Sequence, residues 1–448
     1  MNLEQNSDLV VDHINTHHPE DNRKANLRIV TQSENQMNRK LAKNNTSGTI
    51  GVTWSKRDKC WIANIKIKIV KNNGRRIFVK NKIYLDSSAT YGHIPRPVLT
   101  SIVPYITKTQ GNGSSLYSIG RESRNAIKQA TASIKKTTGA DKVYWVSGST
   151  EANNWVINNF HKGTIISSTI EHPSILNTLK YYKEEYDLNY KLVSVDNNGL
   201  VKMDELEQLL IEGADLCTII CTNNEIGVNQ NINEIYDLCH KYNCKLHTDL
   251  TQSYSHLDIT KLKYDYASLS GHKFGSLIGV GALLCNADIK PFIVGGHQQD
   301  GMRGGTYNIC GIASMGKACE INNFNIDDDM YLYNLKSHMI DFIQNNIFDV
   351  IINSPLETTV NNILNVSFKG IEGESLMLML DRQGICVSSG SACNSGSLEP
   401  SHVLKDMGVP DDYIYGTVRF SFSKFNTLDE IIETEKVLKE TVEKLRSN

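Results

Sequence analysis

The chain has 448 residues, enough for two or three domains, and its 40% hydrophobic content is that of an ordinary water-soluble core. Its formal charge of −2 conceals an asymmetry: residues 1–82 hold 16 Lys and Arg against 7 Asp and Glu, a net of +9, which leaves −11 for the rest. No run of roughly 18 apolar residues offers a membrane span, and the start has neither a secretory nor a transit pattern, so a cytoplasmic location is expected. Ten cysteines lie scattered without a Cys-x-x-Cys pair or a completed Cys/His ligand set, which reads as reduced thiols and no metal site.

Residues 1–45 are polar and rich in Asn, Lys and Arg, and residues 46–82 alternate like short strands. Gly48–Trp54, Cys60–Ile67 and Arg76–Val79 are the strand candidates, the last following the turn Asn72-Asn73-Gly74. A basic arm on an acidic body suits an anionic partner, nucleic acid first.

From about Ile83 onward strands and helices alternate, as in an α/β protein with a mostly parallel sheet. Buried strands are predicted at 163–168, 192–195, 216–221, 245–248 and 266–270, with amphipathic helices at 203–211 and 233–241. Asp249 follows one strand directly, and His272 and Lys273 follow another. The crevice of an open α/β sheet lies at such carboxyl ends. A closing helix starts with the capping box Thr427 and Glu430.

Ser270-Gly271-His272-Lys273, with Asp249-Leu250-Thr251-Gln252 upstream, assembles what a pyridoxal phosphate (PLP) site needs. An amine bonds the aldehyde, a carboxylate meets the ring nitrogen, and hydroxyl, amide and imidazole groups serve the other polar atoms. Ser149 and Thr150 precede a helix whose N-terminus suits a phosphate. Near the other end, Ser388-Ser389-Gly390-Ser391-Ala392-Cys393-Asn394 is small and polar. Cys386, between Ile385 and Val387, reads as a packing thiol, whereas Cys393 reads as a reactive one with a lowered pKa.

With Tyr84–Thr90, Gly111–Ser115, Ser147–Asn154, Glu171-His172, Asn223–Gly227 and Gly301–Thr306 in order, the chain from Ile83 resembles the cysteine desulfurases of the NifS/IscS type, within the class-V aminotransferases. The resemblance implies PLP fold-type I, like aspartate aminotransferase. It divides the chain into a large PLP domain over 97–331 and a small α+β domain of 83–96 plus 332–448. Lys273, His172 and Cys393 would be catalytic. Ser149, Thr150, His172, Asn224, Asp249, Gln252, Ser270, His272 and Thr306 would bind the cofactor, Thr306 reaching the neighbouring subunit of a homodimer. Asn224 and Arg419 would bind substrate, the arginine gripping its carboxylate.

The implied reaction converts L-cysteine to L-alanine through a Cys393 persulfide. The sulfur would pass to an acceptor protein or tRNA-modifying enzyme for iron–sulfur, thio-cofactor or tRNA assembly. A selenocysteine lyase or aminotransferase, or a DNA-binding protein with an inactive enzyme body, are the other readings.

The arm resembles part of an HNH endonuclease over 1–45, followed by a three-stranded DNA-binding module over 46–82. Asp12 and Asn35 would hold a divalent cation if it were active, His13 would activate water, and Asn26 would brace the fold. The upstream half of that nuclease pattern is absent before Leu9, and the sheet runs into Lys82-Ile83-Tyr84 without a trailing helix. A remnant fused to the enzyme, or a wrong start codon, is therefore expected rather than an active nuclease.

Overall fold

The computed structural model describes residues 9–13, 27–31, 52–55, 60–63, 82–107, 111–389 and 400–447. The chain divides into two compact units, Met1–Lys80 and Asn81–Asn448. In the first, β1 (Leu9–His13) pairs antiparallel with β2 (Leu27–Thr31), and β3 (Val52–Ser55) with β4 (Cys60–Ala63). The pairing of β3 and β4 sets Trp54 opposite Trp61. Asp12 and His13 belong to β1. Asn26, Asn35 and the strand predicted at 76–79 lie outside the described residues.

The second unit opens with β5 (Ile83–Tyr84), α1 (Arg96–Thr107), α2 (Ser118–Thr138), β6 (Lys142–Val146), α3 (Ser149–Phe160) and β7 (Thr164–Ser168). It continues through α4 (Pro173–Tyr186), β8 (Asn189–Val193), α5 (Met203–Ile211), β9 (Leu216–Ile220), α6 (Ile232–Lys241), β10 (Lys245–Asp249), β11 (Tyr266–Ser270) and β12 (Gly281–Cys285). β6 to β12 form one seven-stranded sheet in the order β6-β12-β11-β10-β9-β7-β8. Only β12 runs against its neighbours; the pairs β11–β10, β10–β9, β9–β7 and β7–β8 are parallel. β9, β11 and β12 are buried at every residue, as a sheet covered on both faces requires.

The chain then builds α7 (Ile309–Ile321), α8 (Ile326–Asn346), β13 (Val350–Ile352), β14 (Ile363–Phe368), α9 (Gly373–Arg382), β15 (Ile385–Cys386) and β16 (Ser388–Ser389). It ends with α10 (His402–Asp406), α11 (Asp411–Ile414), β17 (Thr417–Ser421) and α12 (Leu428–Arg446). β13-β14-β17-β16 make an antiparallel sheet, and β15 pairs with β5. Their core is separate: Leu335, Met339 and Ile343 of α8 pack with Phe368, Phe420 and Leu438. Thr427 caps α12 in a reciprocal capping box with Glu430.

The two lobes of this unit meet at the loop after β9. Val360 N–H donates to Gly227 O at 2.8 Å, Asn229 N–H to Thr358 O at 3.1 Å, and Ser354 Oγ to Ile226 O at 2.6 Å. Gly227 has φ +76°, and a Cβ there would stand 3.0 Å from Ile363, so the close approach needs glycine. Buried Lys336 of α8 secures the other side, donating to Thr359 Oγ1 and, at 3.1 Å, to Val360 O.

Candidate active site

β10 and β11 lie side by side and parallel, so their carboxyl ends deliver Asp249 and the Gly271–Phe274 turn to one place. There a cavity of about 570 Å³ is lined by Ser149, Thr150, His172, Asn224, Asp249, Gln252, Ser270, His272, Lys273 and Arg419. Every predicted cofactor or substrate residue is thus gathered on one wall or another except Thr306. Within a single chain Thr306 lines a separate cavity with Tyr105, Asn112 and Cys310. Cys393 lies outside the described residues, while Ser388, five positions before it, lines the main cavity.

Lys273 Nζ donates to the carbonyls of Ser88 at 2.7 Å and Ala89 at 3.0 Å, groups from the turn after β5. Gln252 Nε2 reaches the same Ser88 carbonyl at 2.8 Å. Asp249 is buried; its Oδ1 accepts from Thr251 N–H at 2.9 Å and its Oδ2 from Asn153 Nδ2 at 3.0 Å. Asn153 Nδ2 also donates to Ser174 Oγ at 2.9 Å, and that hydroxyl lies 2.8 Å from His172 Nδ1. The Ser174 N–H donates to the same Nδ1 at 3.1 Å, which makes Nδ1 an acceptor and leaves the ring proton on Nε2. One run of hydrogen bonds therefore joins Asp249 to His172.

Burial holds the His172 pKa below its ordinary 6.5; the Asp249 carboxylate opposes this and Lys273 adds to it. His272, desolvated and beside Lys273, is pushed down to about 4, so both rings are neutral near pH 7. Glu171 is fully buried and raised to about 8 by desolvation, against hydrogen bonds from Ser168 Oγ and Ile220 N–H.

The helix predicted after Ser149 and Thr150 begins on them: α3 starts at Ser149, with Gly148 as its side-chain-less N-cap. No side chain caps its first N–H groups, and Gly148, Ser149 and Thr150 line the cavity, a ready place for a phosphate. Arg303 grips Glu151 at 2.8 and 3.1 Å, tying this helix start to the 301–306 loop. Ser88 Oγ and Thr251 Oγ1, both lining the cavity, are buried without a hydrogen-bond partner. Amine, buried carboxylate, orphaned hydroxyls and a bare helix N-terminus form a donor set that fits a phosphorylated pyridine aldehyde.

Sequence reasoning missed the roles of Asp86, Ser88, Asn153, Ser174 and Ser388. Asp86 and Asn153 stood inside motifs already noted; the Ser88 contribution is a backbone carbonyl, which no side-chain pattern announces. Among the described residues no group of three His, Cys, Asp or Glu could hold a metal ion.

Residues 83–433 match the family model described as aminotransferase class-V, and the chain belongs to that family. It is 38% identical over 389 residues to the cysteine desulfurase IscS of Methanosarcina thermophila, covering 84% of this chain and 95% of that protein. It is 37% identical over 382 residues to the cysteine desulfurase IscS of Dictyoglomus turgidum, covering 82% of this chain and 96% of that one. A solved structure of a NifS-like protein is 31% identical, with a TM-score of 0.75, and covers 81% of this chain and 100% of its own. These relatives place the chain on the cysteine desulfurase branch of the family. None of them speaks for the nuclease-like reading of residues 1–45.

Proposed function

We propose that the protein is a PLP-dependent cysteine desulfurase that turns L-cysteine into L-alanine and holds the released sulfur on Cys393. The observation that carries this is the meeting of Lys273 and Asp249 at neighbouring strand ends, on a cavity whose wall also presents Arg419. Bound there, PLP supplies an aldehyde for the substrate amine and a ring that draws electrons from the α-carbon.

Lys273 would hold the aldehyde, and its Nζ would carry the substrate α-proton. Asp249 keeps a proton on the ring nitrogen, with Asn153 and Thr251 fixing its two oxygens. The α3 N-terminus, Ser149, Thr150, Ser270 and His272 would hold the phosphate, and neutral His172 would lie against the ring. Asn224 and Gln252 serve the phenolic oxygen side, and Arg419 orients the substrate carboxylate. The Cys393 thiolate attacks the substrate Sγ; an S–S bond forms as the Cβ–S bond breaks, and the electron pair stays with the three-carbon fragment. That fragment takes up a proton and leaves as L-alanine, and Cys393 keeps a persulfide for an acceptor protein or tRNA-modifying enzyme.

Incubation with L-cysteine and PLP, reading alanine and sulfide together, tests this. Wild type forms both, and Lys273→Ala neither; Cys393→Ser forming sulfide at the wild-type rate would refute the persulfide.

The same proposal takes 97–331 as the large domain, 83–96 plus 332–448 as the small one, and a cytoplasmic homodimer in which Thr306 serves the neighbouring cofactor. Among the described residues no helix is long and apolar enough to cross a membrane. For residues 1–82 we propose nucleic-acid contact without cleavage, supported by the net charge of +9. Retardation of duplex DNA at low salt, lost as salt rises, tests it.

A further inference from the structure

Arg419, the substrate-facing arginine, is already engaged. Its Nη2 donates to Asp86 Oδ1 at 2.9 Å and to Ser388 Oγ at 3.1 Å, and Ser388 Oγ donates in turn to Asp86 Oδ1 at 2.8 Å. Its Nη1 donates to the Asn224 carbonyl at 2.7 Å, and its Nε is buried with no hydrogen-bond partner. The pair is well sheltered, with side-chain exposures of 8% for Arg419 and 19% for Asp86.

A guanidinium carries five N–H groups, and a carboxylate takes two of them side by side along either the Nη1/Nη2 or the Nε/Nη2 edge. Both edges include Nη2, and Nη2 already serves two acceptors, Asp86 Oδ1 and Ser388 Oγ. A second carboxylate that binds in two-point fashion must therefore draw on the nitrogen that the Asp86–Ser388 pair now holds.

We propose that Asp86 is a positioning and specificity-determining residue: an internal carboxylate that occupies the Arg419 fork until the α-carboxylate of an amino-acid substrate displaces it. This rests on the reading that the cavity accepts L-cysteine. Asp86 keeps the sheltered guanidinium from standing unpaired, since an uncompensated buried charge is costly. It also sets a threshold for entry. A ligand with a full negative charge replaces what Asp86 gave; an amide or a bare amine does not, so amines without a carboxylate are excluded.

Asp86→Asn keeps the shape and an acceptor oxygen for Nη2 and Ser388 while removing the charge. Calorimetric titration of the PLP-loaded protein with L-alanine, and with ethylamine as the carboxylate-free control, reads the fork directly. Exchange requires L-alanine to bind about three- to tenfold more tightly to Asp86→Asn than to wild type, with ethylamine unchanged. Equal or weaker L-alanine binding in the variant, or none to either protein, overturns the proposal. Wild-type crystals grown with L-alanine decide the matter without any variant: an Asp86–Nη2 separation opened beyond hydrogen-bond reach supports exchange, and one kept at its present length overturns it. L-alanine binds whether or not L-cysteine is turned over, so failure of the desulfurase reading registers separately, as absent alanine production.

Discussion

Lys273 Nζ and Gln252 Nε2 converge on one acceptor, the Ser88 carbonyl, at 2.7 and 2.8 Å. The amine is thereby parked against the backbone of the turn after β5 while its neighbour in the site holds the same oxygen. Lys273→Ala consequently leaves that carbonyl satisfied. We expect alanine formation to fall by at least about 10²–10⁴-fold, with unfolding free energy changed by no more than about 1 kcal/mol. Turnover assays and urea unfolding on the same preparations check both halves.

Asn153 behaves differently, because it bridges Asp249 and Ser174 and through them His172. Asn153→Ala strips a donor from a buried carboxylate and costs about 1–3 kcal/mol. Asn153→Asp is the harsher change, setting two carboxylates in contact. Weaker retention of PLP on dialysis, in that order, is the outcome to look for.

Acid sensitivity has identifiable sources. His247 is fully buried and His256 partly so, and desolvation pushes both down to about 4. An unfolded histidine takes its proton near 6.5, so their contribution is whole above that pH and erodes as pH falls toward 4. Each adds a slope of up to about 1.4 kcal/mol per pH unit across that window. His256→Gln, whose Nδ1 loses no partner, removes one share of the slope in urea midpoints measured from pH 7 to 4.5.

Glu171 and Lys336 act with opposite sign in different windows. Desolvation raises Glu171 to about 8, so the unfolded carboxyl ionises first and wild type loses stability as pH climbs from 4.5 to 8. Glu171→Gln gains a margin over wild type that grows through this range and then levels. Desolvation lowers Lys336 to about 7, so the unfolded amine keeps its proton longer and wild type regains stability from 7 to 10.5. The margin of Lys336→Met over wild type is therefore widest below pH 7 and shrinks above it. Parallel denaturation curves at pH 5.5, 7 and 9 separate the two.

What the sequence made legible was chiefly local. Runs such as Leu216–Ile220 and Tyr266–Ser270 declare buried strands by composition, and Asp249 and Lys273 follow two such runs directly, so the crevice could be placed. The capping box at Thr427 was readable for the same reason. The run from Asp249 to His172 was not, because Asn153 of α3 lies 96 positions before the carboxylate it holds. Nor was the engaged state of Arg419, whose partner Asp86 lies 333 positions earlier. The reversal of β12 also escaped notice, since an apolar run has no direction written in it.

The loop carrying Asn224 offers its carbonyl to Arg419 from one lobe, and Ser354 and Val360 clasp that loop from the other. If the fork takes an amino acid as proposed, its grip is a joint possession of two separately packed cores. Warming that slackens the clasp by an ångström would blur the fork while every helix is still intact, so affinity fades some degrees before circular dichroism records any melting.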